Sequence, residues 1–427
     1  MSRNLALLYL ALALLPAAAR EGGRPGPAVL RLGERLFGDD RFSTPRGDLP
    51  ASCLTCHLND QDPQGRRAHA DFLARSWVPW RSSDPRRNEL RNSPTLLDVG
   101  ELDTLHFDGE FGSLEALVRG TLAGRPMGWL PGEETEAFAH AAAVLKRDAA
   151  YGEQFRAAYG VDLQTLDADA VMQRVAAAVS AHVRRLRSAR TSAYDRFAAL
   201  NGLDAAPAAG EDSKAFGRRL LARVRGLEDA RRLRFPAGFS SRELAGLKVF
   251  LAPDAGNCAV CHAPPLFADN AFHNIGVSQA EYDSLHGDGS FGRLEIPDSG
   301  DAKRPAAQFR EIPDRRKPGC ADLGYWNFAD PERSRWRRPG ETPAAFLRRM
   351  IGAFKTPTLR NLGRTNPYLH NGIAATLQAT LEEMLRLNAL ARRGELRAAD
   401  AEFTAIRLAP EDLPALVAFL DALNDRP

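Results

Sequence analysis

Two cysteine pairs, each followed directly by a histidine, are the residues best suited to chemistry in this sequence. They lie in SCLTCHLND (52–60) and NCAVCHAPP (257–265), and the residues concerned are Cys53, Cys56, His57, Cys258, Cys261 and His262. A zinc site needs four ligands and each motif supplies three, while a thioredoxin-like pair needs no histidine. Covalent heme needs this spacing, because two thiols bind the vinyl groups and the adjacent histidine binds the iron. The repeated motif therefore predicts two covalently bound heme c groups, with His57 and His262 as iron ligands.

The N-terminus has the pattern of a secretory signal peptide. Arg3 supplies a positive charge, an apolar run extends from Leu5 to Leu15, and three alanines at 17–19 form a small-residue cleavage site. The run is too short to span a bilayer, and no other stretch is long and apolar enough. We expect residues 1–19 to be removed from a protein exported to the periplasm, which suits heme c because its attachment occurs outside the cytoplasm.

Composition is that of an ordinary globular protein, with 44% hydrophobic residues in a chain of 427. The length suggests two domains. The net charge of +3 is too small to indicate a nucleic-acid partner. The fifth cysteine, Cys320, has no partner left in the chain, and an intermolecular disulfide and a homodimer are both left open.

A second similarity follows each heme motif. The stretches beginning at Ser93 (SPTLLDVGELDTLHFDGEFGSLEAL) and at Thr356 (TPTLRNLGRTNPYLHNGIAATLQAT) share Pro-Thr-Leu, a later glycine and a Ser-Leu or Thr-Leu pair at equal spacing. This pattern indicates a duplicated heme domain. Met384 lies downstream of the proline of the second stretch, and Thr121 lies at the same distance from the proline of the first stretch. Because methionine ligates heme iron and threonine does not, we expect Met384 to close the second heme and the first to be open. The alternative for Met384 is a core methionine of an amphipathic helix.

Strand patterns are sparse, so the fold class is predicted to be mainly α. We expect an N-terminal heme domain over 25–200, a charged helical insertion or linker over 201–240 and a C-terminal heme domain over 241–427. Residues 285–345 are rich in Gly, Pro, Asp and Arg and are expected to form a long loop insertion in the second domain.

At this point the sequence resembles the bacterial diheme cytochrome c peroxidase family, which includes the diheme enzymes that mature methylamine dehydrogenase. The motifs that carry the resemblance span nearly the whole chain: LGERLF (32–37), RNSPTLL (91–97), FDGEFGSLE (107–115), FHNIGV (272–277) and FKTPTLRNLGRTNPYLHNG (354–372). The resemblance implies two cytochrome c-like domains with a heme in each. It also implies that the C-terminal heme accepts electrons from a small cytochrome or copper protein and that the N-terminal heme reduces hydrogen peroxide.

The resemblance assigns further residues. Met384 matches the axial methionine of the family, a position that is tyrosine in the maturation enzyme. The calcium ion of the family is held by one asparagine and two carbonyl groups, which map to Asn92, Thr365 and Pro367 here; turn structure is the alternative for these three. Phe107 stands where the family has an aromatic residue between the hemes.

The chain departs from the family at the residues that move protons. The position of the family's glutamine is Leu117, and that of its catalytic glutamate falls on Pro126 or Met127, neither of which carries a proton. The catalytic acid is therefore unassigned. His69 is the candidate for a removable distal ligand of the first heme, with a surface histidine as the alternative. His106 and Met127 are further candidates for that position.

Three functions follow from these patterns. The first is a periplasmic diheme peroxidase. The second is a diheme oxidase that modifies a partner protein, which the missing proton-transfer residues favour and the methionine at 384 disfavours. The third is a non-catalytic electron carrier with two saturated hemes. The Arg/Trp-rich stretch RSRWRRPG (333–340) is a candidate docking surface for a donor or a substrate, with a solvated loop as the alternative.

Overall fold

The computed structural model describes residues 20–21, 24–46, 50–57, 90–298 and 302–425, and this part of the chain is mainly helical, as predicted. Its helices are α1 Pro27–Phe37, α2 Cys53–Cys56, α3 Leu114–Leu122, α4 Glu134–Arg147, α5 Ala149–Tyr159, α6 Ala168–Val183, α7 Ala193–Asn201, α8 Ser213–Asp229, α9 Ser241–Leu251, α10 Val277–His286, α11 Pro343–Arg349, α12 Leu377–Arg392, α13 Ala401–Ala405 and α14 Leu413–Asp421. The strands form two short antiparallel pairs, β1 Arg20–Glu21 with β2 Arg24–Pro25 and β3 Phe272–His273 with β4 Phe354–Lys355. Among these helices none is long and apolar enough to cross a membrane.

Side-chain caps fix where the helices begin. The Ser113 hydroxyl accepts the Ala116 N–H and starts α3, and Asp212 starts α8 in the same way. Ser240 and Glu243 form a reciprocal capping box at the start of α9. Such caps satisfy backbone N–H groups that the first helical turn leaves without a partner. Residues close in sequence therefore determine where these helices begin.

The chain divides into two compact units. Within the described chain, the first unit holds residues 20–55 and 113–186, and the second holds residues 56–57, 90–112 and 187–425. In the first unit, α6 packs against α1, α3 and α4, and its inner face is almost entirely apolar. In the second unit, α9 packs along α14 and beside α8.

Each unit contains one helix pair that meets at a glycine. In the first unit, a Cβ added to Gly33 of α1 would lie 2.0 Å from the carbonyl oxygen of Ala178 in α6. In the second unit, a Cβ added to Gly246 of α9 would lie 2.0 Å from the carbonyl oxygen of Ala415 in α14. Only glycine allows backbones to approach this closely.

The stretches after Pro94 and Pro357 follow the same backbone course. Counted from the proline, both have left-handed non-glycine residues at 4 and 12, a 3-10 turn at 5–7, an antiparallel bridge between 11 and 17, a left-handed glycine at 15 and a helix N-cap at 19. The residues in the first stretch are Asp98, Val99–Glu101, Leu105, His106, Gly109, Phe111 and Ser113, and those in the second are Asn361, Leu362–Arg364, Tyr368, Leu369, Gly372, Ala374 and Thr376.

Residues 285–345 have few regular elements but are well packed. Apart from the ends of α10 and α11, the regular structure in the described part of this segment consists of three short 3-10 turns and of isolated bridges such as Arg310–Asp322. Its aromatic side chains Phe291, Phe309 and Trp326 are buried in an apolar cluster with Phe346 and Met350. The segment is therefore irregular in backbone but packs into an apolar core that it shares with α11.

Candidate functional site

The second Cys-x-x-Cys-His motif is held by a 3-10 turn in the second unit. Asn257 has a left-handed backbone (φ 49°) and starts the turn Cys258–Val260. The His262 N–H donates to the carbonyl oxygen of Cys258 at 2.8 Å, and the imidazole Nδ1 lies 2.8 Å from the carbonyl oxygen of Phe267. Because a carbonyl can only accept, Nδ1 carries the proton and Nε2 keeps the lone pair that a heme iron takes.

The protonation states of this motif differ from those of a redox-active cysteine pair. Burial lowers the pKa of His262, so the imidazole is neutral at pH 7. Burial raises the pKa of Cys258 to about 12 and also raises that of Cys261. A redox-active Cys-x-x-Cys pair has a lowered thiol pKa instead. None of the four motif cysteines, all of which the structure describes, is in a disulfide.

Met384 lies on α12 in the same apolar surroundings as the second motif. Its side chain and that of Cys258 both pack against a cluster that includes Phe267, Leu381 and Phe419. Met384 also contacts a second apolar cluster around Val277 and Leu387. The structure thus brings Met384 and the second motif to one apolar region, as an axial ligand requires, while its role as a ligand stays a prediction.

His273 is a charged group beside the second motif that the sequence did not reveal. Its Nε2 lies 2.8 Å from Asp269 and its Nδ1 lies 2.9 Å from Asp400. Burial opposes protonation of His273, but hydrogen bonds to Asp269, Asp400 and Cys261 outweigh it and raise the pKa to about 12. Because the pKa of each aspartate is lowered, the imidazolium sits between two carboxylates next to Cys261.

The first Cys-x-x-Cys-His motif lies on the short helix α2. The Ser52 N–H donates to the Thr55 hydroxyl at 3.0 Å at the start of this helix, and His57 follows its end. Burial, aided by the charge of His106, lowers the pKa of His57 to about 4, and burial raises the pKa of Cys53 to about 12. The first motif therefore also presents a neutral imidazole and a protonated thiol. His69, the candidate distal ligand, lies outside the described residues.

The residues that the sequence resemblance assigns to proton transfer have apolar side chains. Leu117 is on α3, and Met127 ends the 3-10 turn Arg125–Met127 with only 3% of its surface exposed. The carbonyl of Met127 accepts the Thr44 N–H at 2.8 Å, which ties this turn into the first unit.

The nearby carboxylates already have structural partners. Glu133 accepts the Leu130 N–H at 2.8 Å, and Glu134 accepts the Gly132 N–H at 3.1 Å. Glu110 lies 3.0 Å from Nη2 of Arg310 and 3.3 Å from Nδ1 of His106. Their roles in turns and ion pairs do not identify any of them as the missing acid.

The turn that contains Phe107 is fixed by a buried charge network in the second unit. Arg91 binds Asp108 at 2.5 Å and Asp322 at 2.5 Å, and Asp108 has no exposure. Lys355 donates its backbone N–H to the carbonyl oxygen of Phe107 at 2.7 Å. The position of Phe107 thus depends on charged residues far from it in sequence. In the sequence, these residues are marked only by the motifs that contain them, RNSPTLL for Arg91 and FKTPTLR for Lys355.

Two of the three candidate calcium residues meet in the structure. The Asn92 side-chain amide donates to the carbonyl oxygens of Pro367 (2.7 Å) and Leu369 (3.3 Å). Its Oδ1 is buried and accepts no hydrogen bond from the described residues. A buried oxygen of this kind is a suitable ligand for a hard cation. Thr365 contacts Leu362 through both its N–H and its hydroxyl, and it has no hydrogen bond to Asn92 in the described chain.

Known proteins with similar sequences are di-haem cytochrome c peroxidases and MauG proteins. The family described as Di-haem cytochrome c peroxidase matches residues 27–203. The cytochrome-c peroxidase IdrP1 of Denitromonas iodatirespirans is 25% identical over 394 residues, which cover 92% of this chain and 80% of the relative. The methylamine utilization protein MauG of Methylorubrum extorquens is 25% identical over 402 residues, covering 94% and 79%.

Solved structures share the fold. The diheme peroxidase BthA of Burkholderia thailandensis superposes with a TM-score of 0.58 at 20% identity, covering 94% of this chain and 87% of that one. A MauG-like protein associated with microbial copper homeostasis gives a TM-score of 0.52, also at 20% identity, covering 95% and 92%. The family implies two c-type hemes. On its two Cys-x-x-Cys-His motifs and its near full-length similarity to these relatives, the chain resembles the di-haem cytochrome c peroxidases and the MauG proteins.

Proposed function

We propose that this protein is a periplasmic diheme peroxidase. Electrons from a small donor protein enter at a C-terminal heme ligated by His262 and Met384, and pass to an N-terminal heme at which hydrogen peroxide is reduced. The observation that carries the proposal is that Cys258 and Met384 pack against the same apolar cluster. In the first copy, the residue that corresponds to Met384 is Thr121 on α3, which is not a heme ligand. A closed His/Met heme suits electron transfer, and a heme without a sixth protein ligand suits chemistry.

The matched backbone after Pro94 and Pro357 supports the proposal that the two heme domains arose by duplication. The glycine contacts of Gly33 and Gly246 support it as well. The domain limits 25–200 and 241–427, the signal peptide and the periplasmic location are parts of the same proposal.

The side chains of this protein set limits on the proposed reaction. Bound heme would supply electron storage at the second motif and a peroxide-binding iron at the first. Reduction of one peroxide to two waters takes two electrons and two protons. His57 and His262 are neutral at pH 7 and are therefore ready to bind iron. Because neither Pro126 nor Met127 can deliver a proton, we expect slower turnover than in relatives with a glutamate there.

Steady-state peroxide consumption by the holoprotein, with a neutral hydroquinone as reductant, tests this function. Turnover above that of free heme supports a peroxidase, and its absence would sink the proposal. Thr121→Met is the matched variant, because it places in the first copy the residue found at 384. If it closes the first heme, peroxide turnover falls while reduction of the second heme continues; Thr121→Val, which brings no ligand, should leave turnover unchanged.

The second candidate is oxidative modification of a partner protein. The apolar Met127 at the acid position favours it, as does the similarity to MauG. Mass spectrometry of a co-exported partner, with and without this protein, separates it from the first candidate, because a true substrate changes mass. The third candidate, a carrier with two saturated hemes, is excluded if carbon monoxide binds one heme of the fully reduced protein.

A calcium ion at Asn92 is part of the proposal, supported by the buried Oδ1 of that side chain. Elemental analysis of the holoprotein before and after chelation is the direct test. Asn92→Ala should lower calcium content if this side chain is a ligand, and an unchanged content would rule it out.

A further inference from the structure

Helix α8 carries a basic outer face in the second unit. Residues 213–234 contain eight basic and two acidic side chains, a net charge of +6, whereas the whole chain carries only +3. Arg218, Arg223 and Arg225 are exposed on this helix. None of the three is ion-paired with a carboxylate of the described residues. They are called the α8 basic face below.

Arg219, a further exposed arginine of α8, is ion-paired and provides a comparison. Arg219 is bound by Asp204 and by Glu211, the latter at 2.7 Å. Its charge is therefore largely neutralised, whereas that of the α8 basic face is directed to solvent. Exposed arginines without partners create a local positive potential that acts over about 8–10 Å at physiological salt.

The centre of this surface consists of small, exposed residues. A helical period of 3.6 residues places Ala222 and Gly226 between the arginines, and both are exposed. A Cβ added to Gly226 would meet nothing within 4 Å. Phe235, which follows the helix, keeps 47% of its surface exposed. Small residues flanked by arginines are features of a surface that another protein can approach closely.

The inner side of α8 lies on the second heme motif. The helix packs against α9 and against the 3-10 turn Cys258–Val260. A Cβ added to Gly217 would be 3.3 Å from Cβ of Ala259, inside the Cys-x-x-Cys-His motif. The α8 basic face is thus separated from the second motif by about one helix diameter, roughly 10–12 Å.

We propose that the α8 basic face is the docking surface for a small redox protein with an acidic surface, which delivers electrons to the second heme. This inference rests on the proposed function, which requires a donor and does not say where it binds. Each encounter oxidises the donor by one electron. Two encounters supply the two electrons that, with two protons, convert one peroxide to two waters.

An anionic membrane surface is the other class of partner that would recognise these arginines. The position of the face favours a protein, because α8 is the element that covers the heme motif and a bilayer contact would gain nothing from that proximity. The stretch 333–340, also rich in arginine, is less suitable, since Arg335 is bound by Asp103 and Arg337 contacts Pro331 and Glu332.

Stopped-flow reduction of the second heme tests the proposal in the holoprotein. The donors are reduced plastocyanin, which has an acidic surface, a basic cytochrome c and a neutral hydroquinone. The variant is Arg218→Glu/Arg223→Glu/Arg225→Glu, with Arg218→Gln/Arg223→Gln/Arg225→Gln as the milder form. The matched control is Arg293→Glu/Arg315→Glu/Arg333→Glu, which makes the same charge change at exposed arginines of the segment 285–345.

We expect plastocyanin to reduce the wild type quickly at low salt and more slowly as salt rises. The glutamate variant should lose about tenfold or more of that rate and most of the salt dependence, with the glutamine variant intermediate. The basic cytochrome should gain rate in the glutamate variant, and the hydroquinone rate should not change. An unchanged plastocyanin rate in the glutamate variant, or an equal loss in the control, would overturn the proposal.

Two further measurements separate the alternatives. Flotation with phosphatidylglycerol vesicles tests the membrane partner, and vesicle binding that the glutamate variant loses while its plastocyanin rate is unchanged would replace the proposal by a membrane contact. Peroxide consumption with the hydroquinone reports on the proposed function separately. Its absence would contradict the peroxidase, but the rate of electron entry would still show whether the α8 basic face receives the donor.

Discussion

Nη1 of Arg91 lies 2.5 Å from a carboxylate oxygen of Asp108, a side chain with no solvent exposure. Arg91 also binds Asp322, so one guanidinium neutralises two carboxylates in the second unit. The pair holds the turn that contains Phe107. A buried ion pair adds little net stability compared with apolar residues, but removing one partner leaves a buried charge without compensation.

The first prediction is that Asp108→Asn lowers the free energy of unfolding by about 3 kcal/mol, measured by urea denaturation. The matched control is Asp103→Asn. Asp103 pairs with Arg335 at the surface, where its side chain is 65% exposed, so the expected loss is below about 1 kcal/mol. Equal losses in the two variants would show that the Arg91–Asp108 pair is as weak as a surface pair.

The second prediction concerns Met384. Met384→Leu keeps the volume but removes the sulfur, so the charge-transfer band of methionine-ligated heme disappears and the reduction potential of one heme falls. We expect a fall of roughly 0.1–0.3 V, within the span of about 0.8 V that axial ligands cover. Met350→Leu is the control, because Met350 is buried in another apolar cluster of the second unit. Spectra that stay unchanged in Met384→Leu would make Met384 a core methionine.

The third prediction restores the missing acid. In Met127→Glu the carboxyl group would be buried, which raises its pKa and suits a proton donor near neutral pH. If the N-terminal heme reduces peroxide, the turnover number should rise by about tenfold to a hundredfold, within the range of general acid–base catalysis. Met127→Gln has the same shape without an exchangeable acid and should give no increase. Equal turnover in the two variants would place proton delivery elsewhere.

The helical fold could be predicted from the sequence because helix signals depend on local spacing, as does the heme attachment that the two Cys-x-x-Cys-His motifs predict. Cys-x-x-Cys-His is contiguous, and caps such as Ser113 and Ser240 lie within three residues of what they bind. The surroundings of the motifs could not be predicted in the same way. His273 contacts Asp400 across 127 residues, and Arg91 contacts Asp322 across 231. Such pairs depend on the tertiary fold, and single charged residues in the sequence carry no mark of their partner.

The fourth prediction uses the pH dependence of Lys355. Burial lowers the pKa of this lysine from 10.5 to about 8, although Asp103 and Asp108 oppose the shift. Between pH 8 and 10.5 the unfolded chain therefore binds this proton more than the folded chain. Stability of the wild type should rise with pH across that window, by about 3 kcal/mol in total relative to Lys355→Met. Chemical unfolding of both proteins from pH 7 to 10.5 measures it. A difference that stays constant with pH would show that folding does not lower the pKa of Lys355.

The fifth prediction tests the glycine contact between two helices that occurs within each unit. Gly33→Ala would place Cβ 2.0 Å from the carbonyl oxygen of Ala178, and Gly246→Ala would place it 2.0 Å from that of Ala415. In each case one helix must move away from the other, so we expect losses of about 3 kcal/mol or more, as for other overpacked core positions.

The matched controls for these two variants are Gly152→Ala in α5 and Gly226→Ala in α8, where an added Cβ meets nothing within 4 Å. There alanine should stabilise by about 0.5–1 kcal/mol, because it has the higher helix propensity. Calorimetric unfolding of the four variants compares the two units directly. If the units share one ancestral helix contact, Gly33→Ala and Gly246→Ala should be destabilised to a similar extent. A large loss in only one of them would show that the other unit packs its helices differently, since a contact that tolerates a Cβ does not depend on glycine.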